Sequence, residues 1–258
     1  MLFSVLARKA YARNLQYRGA HMIHNVSSFM FGFVYVSLWA GIGESHSLGE
    51  YGVQGMTAYI AFNQASLWLV LFITNGLGME QSVRTGQIAL DLMRPVPLFL
   101  HKMYREWGQI AYQFVYKFLP IYILYFFLFS IPVPGKLSVY GWTALSLLLA
   151  AYISICMNYL IGAAAMWTTE SRWLYWVNYA FSMLLSGFFI PLEWLPAWLR
   201  QLSWLTPYPY LLYVPVSLFT ERTTPAALPA ALFWCVLFTG LCMMATGAMR
   251  KKLEVQGG

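Results

Sequence analysis

The chain has 258 residues, 60% of them hydrophobic and 10% charged, with a formal net charge of +7. Soluble domains run at about 45–50% apolar and about 25% charged, so the composition excludes an ordinary soluble protein and predicts a polytopic membrane protein. A span takes about 20 apolar residues, so the length holds roughly six spans with their loops, and leaves no room for a soluble domain of about 100 residues. The positive balance suits cytoplasmic loops of a membrane protein, where Lys and Arg collect, and no basic patch interleaved with aromatics points to nucleic acid.

Residues 1–18 are too short and too basic to span. Phe3, Leu6 and Ala10 share one helical face while Ser4, Arg8 and Lys9 point elsewhere, which predicts a helix lying at the cytoplasmic interface rather than a plain basic tail. No cleavable signal is expected, because the cations come late and the following apolar run is of spanning length.

Spans are predicted at about 21–42, 56–77, 110–131, 139–167, 173–190 and 231–249. The first ends in the polar stretch holding Glu44 and Glu50. The second carries Asn63 and Gln64. Between the second and third lies a charged interval with Arg84, Arg94, Lys102 and Arg105. Pro132-Val133-Pro134-Gly135 ends the third span with a turn. The fourth is long enough to tilt, and it aligns Ser154, Asn158 and Gly162 at helical spacing, a small polar stripe suited to close packing.

Residues 191–230 differ from the rest. Seven prolines break any long helix, yet Leu195, Trp198, Leu199, Leu202 and Leu205 recur at helical spacing. Trp194, Trp198, Trp204, Tyr208 and Tyr210 are aromatics that favour the membrane–water boundary. Short helices dipping into the outer interface are expected. The last span stops at Arg250-Lys251-Lys252.

The charges test this topology. On one side fall Arg8, Lys9, Arg13, Arg18, Arg84, Arg94, Lys102, Arg105, Arg172, Arg250, Lys251 and Lys252; on the other fall Lys136, Arg200 and Arg222. The split of 12 to 3 puts the richer side, with both termini, in the cytoplasm.

No motif for nucleotide binding by a P-loop, for a metalloprotease or for a serine nucleophile occurs. His21 and His24 could touch a metal but read better as interfacial hydrogen bonders. Cys156, Cys235 and Cys242 fall in apolar runs with no metal or disulfide spacing. Lys117 is the one clear cation within a predicted span, although its stem could snorkel to the cytoplasmic interface. The acidic residues all fall in predicted loops or tails, which argues against proton or sodium coupling and against an ion channel. Asn63, Gln64, Lys117 and Asn178 are candidates to line a solute path, with packing between helices as the alternative for the three amides.

Residues 83–95 contain the single Asp of the chain. The series Arg84-x-Gly86-x-Ile88-Ala89-x-Asp91-Leu92-x-Arg94-Pro95 resembles the cytoplasmic loop of ABC-2 type transporter permeases, closest to the branch often encoded as paired permeases beside one ATPase. The N-terminal stretch, 1–20, resembles that family's connecting helix, and the region 191–230 its external re-entrant helices. The resemblance implies one all-α integral membrane domain over 1–258, with six transmembrane helices, an N-terminal interfacial helix, a cytoplasmic coupling helix within 79–107 and external re-entrant helices before the last span. It further implies a non-catalytic permease subunit in an inner (plasma) membrane, paired with itself or a sister permease and with two copies of an ABC ATPase. ATP and Mg would bind in that ATPase, with no cofactor in this chain. Arg84, Gly86, Ile88, Asp91, Leu92, Arg94 and Pro95 are then the expected ATPase-coupling residues. Ile88 and Leu92, four apart, would form an apolar ridge flanked by Asp91 and Arg94, and Pro95 would end the helix. The chain carries no soluble domain, which favours export over uptake. Its aromatic content of 18% suits a hydrophobic or amphipathic molecule or a planar cation; a lipid or polysaccharide is the alternative cargo, and a membrane scaffold the alternative role.

Overall fold

A backbone in lipid must satisfy its own N–H and C=O groups, so apolar runs of this length fold as helices. The computed structural model describes residues 2–16, 18–168 and 170–255, with side chains undescribed at 18–22, 254 and 255. The described residues hold twelve α-helices joined by loops and short 3-10 or π turns, with no strand among them. In chain order they are α1 Leu2–Leu15, α2 Arg18–Ser45, α3 Gly52–Val70, α4 Met79–Arg84, α5 Gln87–Leu92, α6 Leu98–Gln113, α7 Leu119–Phe129, α8 Leu137–Thr168, α9 Arg172–Leu185, α10 Ala197–Trp204, α11 Tyr213–Phe219 and α12 Leu228–Val255. Five segments are long and apolar enough to cross a membrane: Ile23–Ser45, Gly49–Arg84, Leu98–Phe129, Leu137–Thr168 and Pro225–Leu253.

The stretch 173–190, expected as one spanning helix, takes another form. Helix α9 has 14 residues, about 21 Å at 1.5 Å per residue, short of the roughly 30 Å hydrocarbon core. Ser186 closes it, and Gly187 turns left-handed at φ +77°. The irregular backbone beyond is satisfied carbonyl by carbonyl. Ser186 O accepts from Tyr213 N at 2.9 Å. Gly187 O accepts from Tyr59 Oη at 2.7 Å and from Asn63 Nδ2 at 2.9 Å. Phe189 O accepts from Tyr35 Oη at 2.6 Å. Irregular backbone survives at membrane depth only when protein covers it in this way.

The third predicted span also starts earlier than expected. Its helix begins at Leu98, just after Pro95-Val96-Pro97, and continues through a π-helical turn, Phe114–Phe118, into α7. Helix α6 is amphipathic, which is why no apolar-run criterion marks its start.

Three helix pairs have a constant register. Helices α8 and α12 run parallel, joined at offsets of 86 or 87 residues: Leu149 with Cys235, Tyr152 with Thr239, Cys156 with Cys242, Tyr159 with Thr246 and Met166 with Lys252. Helices α3 and α7 run antiparallel, with Phe62 against Tyr122 and, through the π turn, Trp68 against Lys117. Helices α1 and α6 run parallel, with Phe3 on Tyr104 and Tyr11 on Tyr112. Gly108 lies midway between those contacts. A Cβ there would collide with the Ala7 backbone, so only glycine lets α1 lie this close to α6.

Candidate coupling segment and buried polar residues

Helix α3 ends in a break. Gly76, Leu77 and Gly78 all adopt positive φ, and the chain turns there into α4. The break sits on the small stripe of α8. Ser154 Oγ donates to Val70 O, Asn158 Oδ1 accepts from Gly76 N at 3.4 Å, and Gly162 faces Gly76 directly. The stripe is therefore a packing surface that holds the end of α3. Glu106 of α6 braces the same break, its Oε1 accepting from Thr74 N at 2.7 Å. Glu106 is buried within a helix, which corrects the expectation that every acidic residue falls in a loop or tail. Its carboxylate serves as a backbone cap.

Helix α4 is fastened by a carboxylate clamp. Glu80 Oε2 accepts from both the N–H and the Oγ of Ser171, each at 3.0 Å. Arg84 bridges Glu80 at 3.0 Å and Glu170 at 2.7 Å. The polar step between the fourth and fifth predicted spans is thus the receptor for α4. Sequence spacing gives no sign of this contact between Glu80 and Ser171, 91 residues apart.

Gly86 caps α5 in the left-handed conformation, φ +72°, with open space around it. Helix α5 then presents two different faces. Ile88, Asp91 and Leu92 are buried, whereas Leu90 is 61% and Met93 78% exposed. The ridge of Ile88 and Leu92, expected to face a partner, is turned inward against the chain's own core. The reason is the anchor beside it. Asp91 Oδ1 lies 3.0 Å from Arg94 Nη2, and Asp91 Oδ2 lies 3.9 Å from the buried Lys102 of α6. Burying Asp91 against Lys102 obliges its neighbours on the same face, Ile88 and Leu92, to be buried as well. Arg94 also donates from Nη1 to His101 Nε2 at 3.1 Å. Gly86, Arg94 and Pro95 stay exposed.

The four solute-path candidates are not brought to one place. Asn63 caps the Gly187 and Phe188 carbonyls. Gln64 is buried next to it in sequence, its Nε2 without a partner. Asn178 Oδ1 accepts from Tyr208 Oη at 3.2 Å. Lys117 does not snorkel: it is 5% exposed, with its Nζ 3.4 Å from the centre of the Trp68 ring. It sits in the π turn, and such turns are common at functional sites. His21 lies outside the residues with described side chains. Among the described residues no group of three or more metal-ligating side chains occurs. The three cysteines are free and buried.

The opposite end of α3 has its own polar knot. Glu193 accepts from Tyr51 Oη at 3.3 Å and from Tyr213 Oη. Arg222 stacks on Tyr51 at 3.5 Å and donates to Glu50 O at 3.1 Å. The short helices of 191–230 are tied by these contacts to the start of α3.

A multi-pass helical membrane protein with a braced, charged turn between its helices is the class these features define. The chain matches the family described as ABC-2 family transporter protein over residues 26–252, and it belongs to that family. No curated protein matches it. Family members of this kind are membrane subunits of transporters, non-catalytic themselves and partnered by an ABC ATPase.

Proposed function

We propose that the chain is the membrane-spanning half of an ATP-driven exporter, energised by a separate ATPase that docks on the α4–α5 turn. The observation that carries this reading is the two-faced α5. Its inner face is locked to α6 through Asp91 and Lys102, and its outer face exposes Leu90 and Met93 beside Gly86. A short, internally braced helix with an unpartnered apolar tip suits transmission of force from a docked subunit. Of the expected coupling residues, Gly86, Arg94 and Pro95 belong to the contact surface in this reading. Arg84, Ile88, Asp91 and Leu92 hold the turn rigid.

Six crossings are part of the proposal. Helices α8 and α12 run parallel, so the chain between them returns once across the membrane, and α9 with its irregular extension is the segment available to do so. The residues 191–230 then act as the external re-entrant region, and both termini face the cytoplasm of a cell with this protein in its inner membrane. Two permease chains, identical or sister, and two ATPase copies form the working unit, with ATP and Mg held by the ATPases. The cargo is a hydrophobic or amphipathic small molecule or drug-like cation.

Co-purification from membranes tests the reading. Purified from its native membranes, the chain is expected to bring an ABC ATPase down and to show ATP hydrolysis that responds to amphipathic cations. A chain that purifies alone, with no ATPase bound, overturns it.

A further inference from the structure

We propose that the groove between α1 and α6 binds a phosphate-bearing anion, with an anionic lipid headgroup of the adjoining leaflet as its best-fitting source. Two neighbouring cavities of about 290 and 280 Å³ lie there and share Ala10, Arg13 and Arg105 as walls. The first also has Lys102 and Glu106 in its lining, the second Lys9, Arg94 and His101. Five cations therefore surround a space with one carboxylate, and that carboxylate already accepts from Thr74 N. Lys9, Arg13 and Arg105 have no carboxylate within 4 Å among the described residues, whose ion pairs involve Arg84, Arg94 and Lys102.

His101 supplies an independent sign. It is 7% exposed. Arginine can only donate, so the Arg94 contact makes His101 Nε2 an acceptor and places the proton of the neutral ring on Nδ1. That Nδ1 is buried and has no hydrogen-bond partner. A buried donor of this kind needs an acceptor, and the guanidinium groups around it supply none. Guanidinium forks match phosphate oxygens in pairs.

The lipid source is favoured by what lies beside the cavities. Leu6 lines the second one, and Leu2, Phe3 and Val5 of the same helix are exposed, which gives acyl chains an apolar landing next to the charged groove. Binding would also reach the coupling turn. Arg94 and Lys102 line the cavities and are the two cations that hold Asp91 of α5, so a bound phosphate would compete with Asp91 for them. Assignment to the cytoplasmic leaflet rests on the proposed orientation; binding does not, because a nanodisc offers lipid to both faces.

The test uses the full chain in two arms. In the lipid arm it is placed in nanodiscs of mixed phosphatidylglycerol and phosphatidylcholine, released in a mass spectrometer, and its retained lipids are counted. In the soluble arm, pyrophosphate is titrated into the detergent-solubilised chain by calorimetry. Phosphatidylglycerol is expected to be retained in clear excess over phosphatidylcholine. The double variant R13Q/R105Q should bind it about 30-fold more weakly, since each basic residue near an anionic surface contributes roughly a factor of five. The variant K136Q/R200Q, which removes the same charge elsewhere, should bind like the parent. Pyrophosphate binding that disappears in R13Q/R105Q would instead identify a soluble phosphate as the source of the same chemistry. Equal retention of both lipids together with no pyrophosphate binding overturns the proposal, and so does unchanged binding by a folded R13Q/R105Q. Should that variant not fold, the parent's lipid ratio and its pyrophosphate titration decide the matter by themselves.

Discussion

Gly76 and Gly162 meet backbone to backbone. A Cβ built on Gly76 would stand 3.2 Å from the Gly162 Cα, and one built on Gly162 would collide with the Gly76 carbonyl group. The break after α3 and the last turns of α8 therefore touch at a point where neither can carry a side chain. Replacing a helical glycine with alanine ordinarily gains about 0.5–1 kcal/mol. Here the methyl group meets backbone, which cannot rotate away, and overpacking costs about 1–3 kcal/mol. Gly162→Ala is expected to lower the thermal stability of the detergent-solubilised chain. Gly141→Ala, in the same helix with nothing within 4 Å, should leave it unchanged or raise it. Equal responses of the two variants would contradict the contact.

Asp91 and Lys102 lend themselves to a charge swap. Both are buried, so removing one partner leaves an uncompensated charge, at a cost of about 3–5 kcal/mol in other buried pairs. D91K is expected to destabilise strongly, because it adds a cation where Arg94 and Lys102 already stand. K102D in the same chain should recover part of the loss, with a coupling energy of about 0.5–3 kcal/mol in a double-mutant cycle. Additive effects would mean that the two residues do not interact.

The two faces of α5 predict opposite phenotypes. Leu90→Glu and Met93→Glu alter exposed positions, and surface changes of this kind stay within about 0.5 kcal/mol. They are expected to abolish co-purification with the ATPase while leaving the melting temperature unchanged. Ile88→Glu and Leu92→Glu should instead lower stability and yield. If the Leu90 and Met93 variants bind the ATPase normally, the docking surface lies elsewhere.

Asn63 tests how the irregular stretch after α9 is held. Asn63→Leu removes the amide that caps the Gly187 and Phe188 carbonyls. Hydrogen bonds between membrane helices average about 0.6 kcal/mol and reach about 1.7 kcal/mol. With Tyr59 still on Gly187 O, a loss of about 1 kcal/mol is expected for Asn63→Leu and a larger one for N63L/Y59F. Hydrogen exchange at 187–189 should accelerate in the double variant; unchanged exchange would show that these caps are not what orders the segment.

Much of the fold was legible because hydrophobic run length reports spans directly. Five of the six predicted runs correspond to helices of spanning length. The run at 173–190 is equally apolar, but run length does not register that Gly187 turns left-handed or that Tyr59 and Asn63 wait to cap its carbonyl. The candidate coupling segment was legible as a charged helix and not as an oriented one. Spacing marks Ile88 and Leu92 as one apolar face without stating which way it points. The direction comes from Lys102, on a helix that begins only after Pro95 and Pro97. The surroundings of Lys117 are hidden for a related reason: a snorkelling path looks open in sequence, and only the Trp68 ring across the helix pair shows where the ammonium rests.

The clamp on Glu80 gives α9 an unusual mechanical position. Its first turn is tied to α4 through Ser171, while the carbonyls past its last turn hang from Tyr59 and Asn63 of α3. Both ends of this short rod are thus fixed to the two sides of one kink, the break at Asn75–Gly78. If that kink opens or closes, α9 cannot stay still: it is the connecting rod of the hinge, and its tilt reads out the angle between α3 and α4.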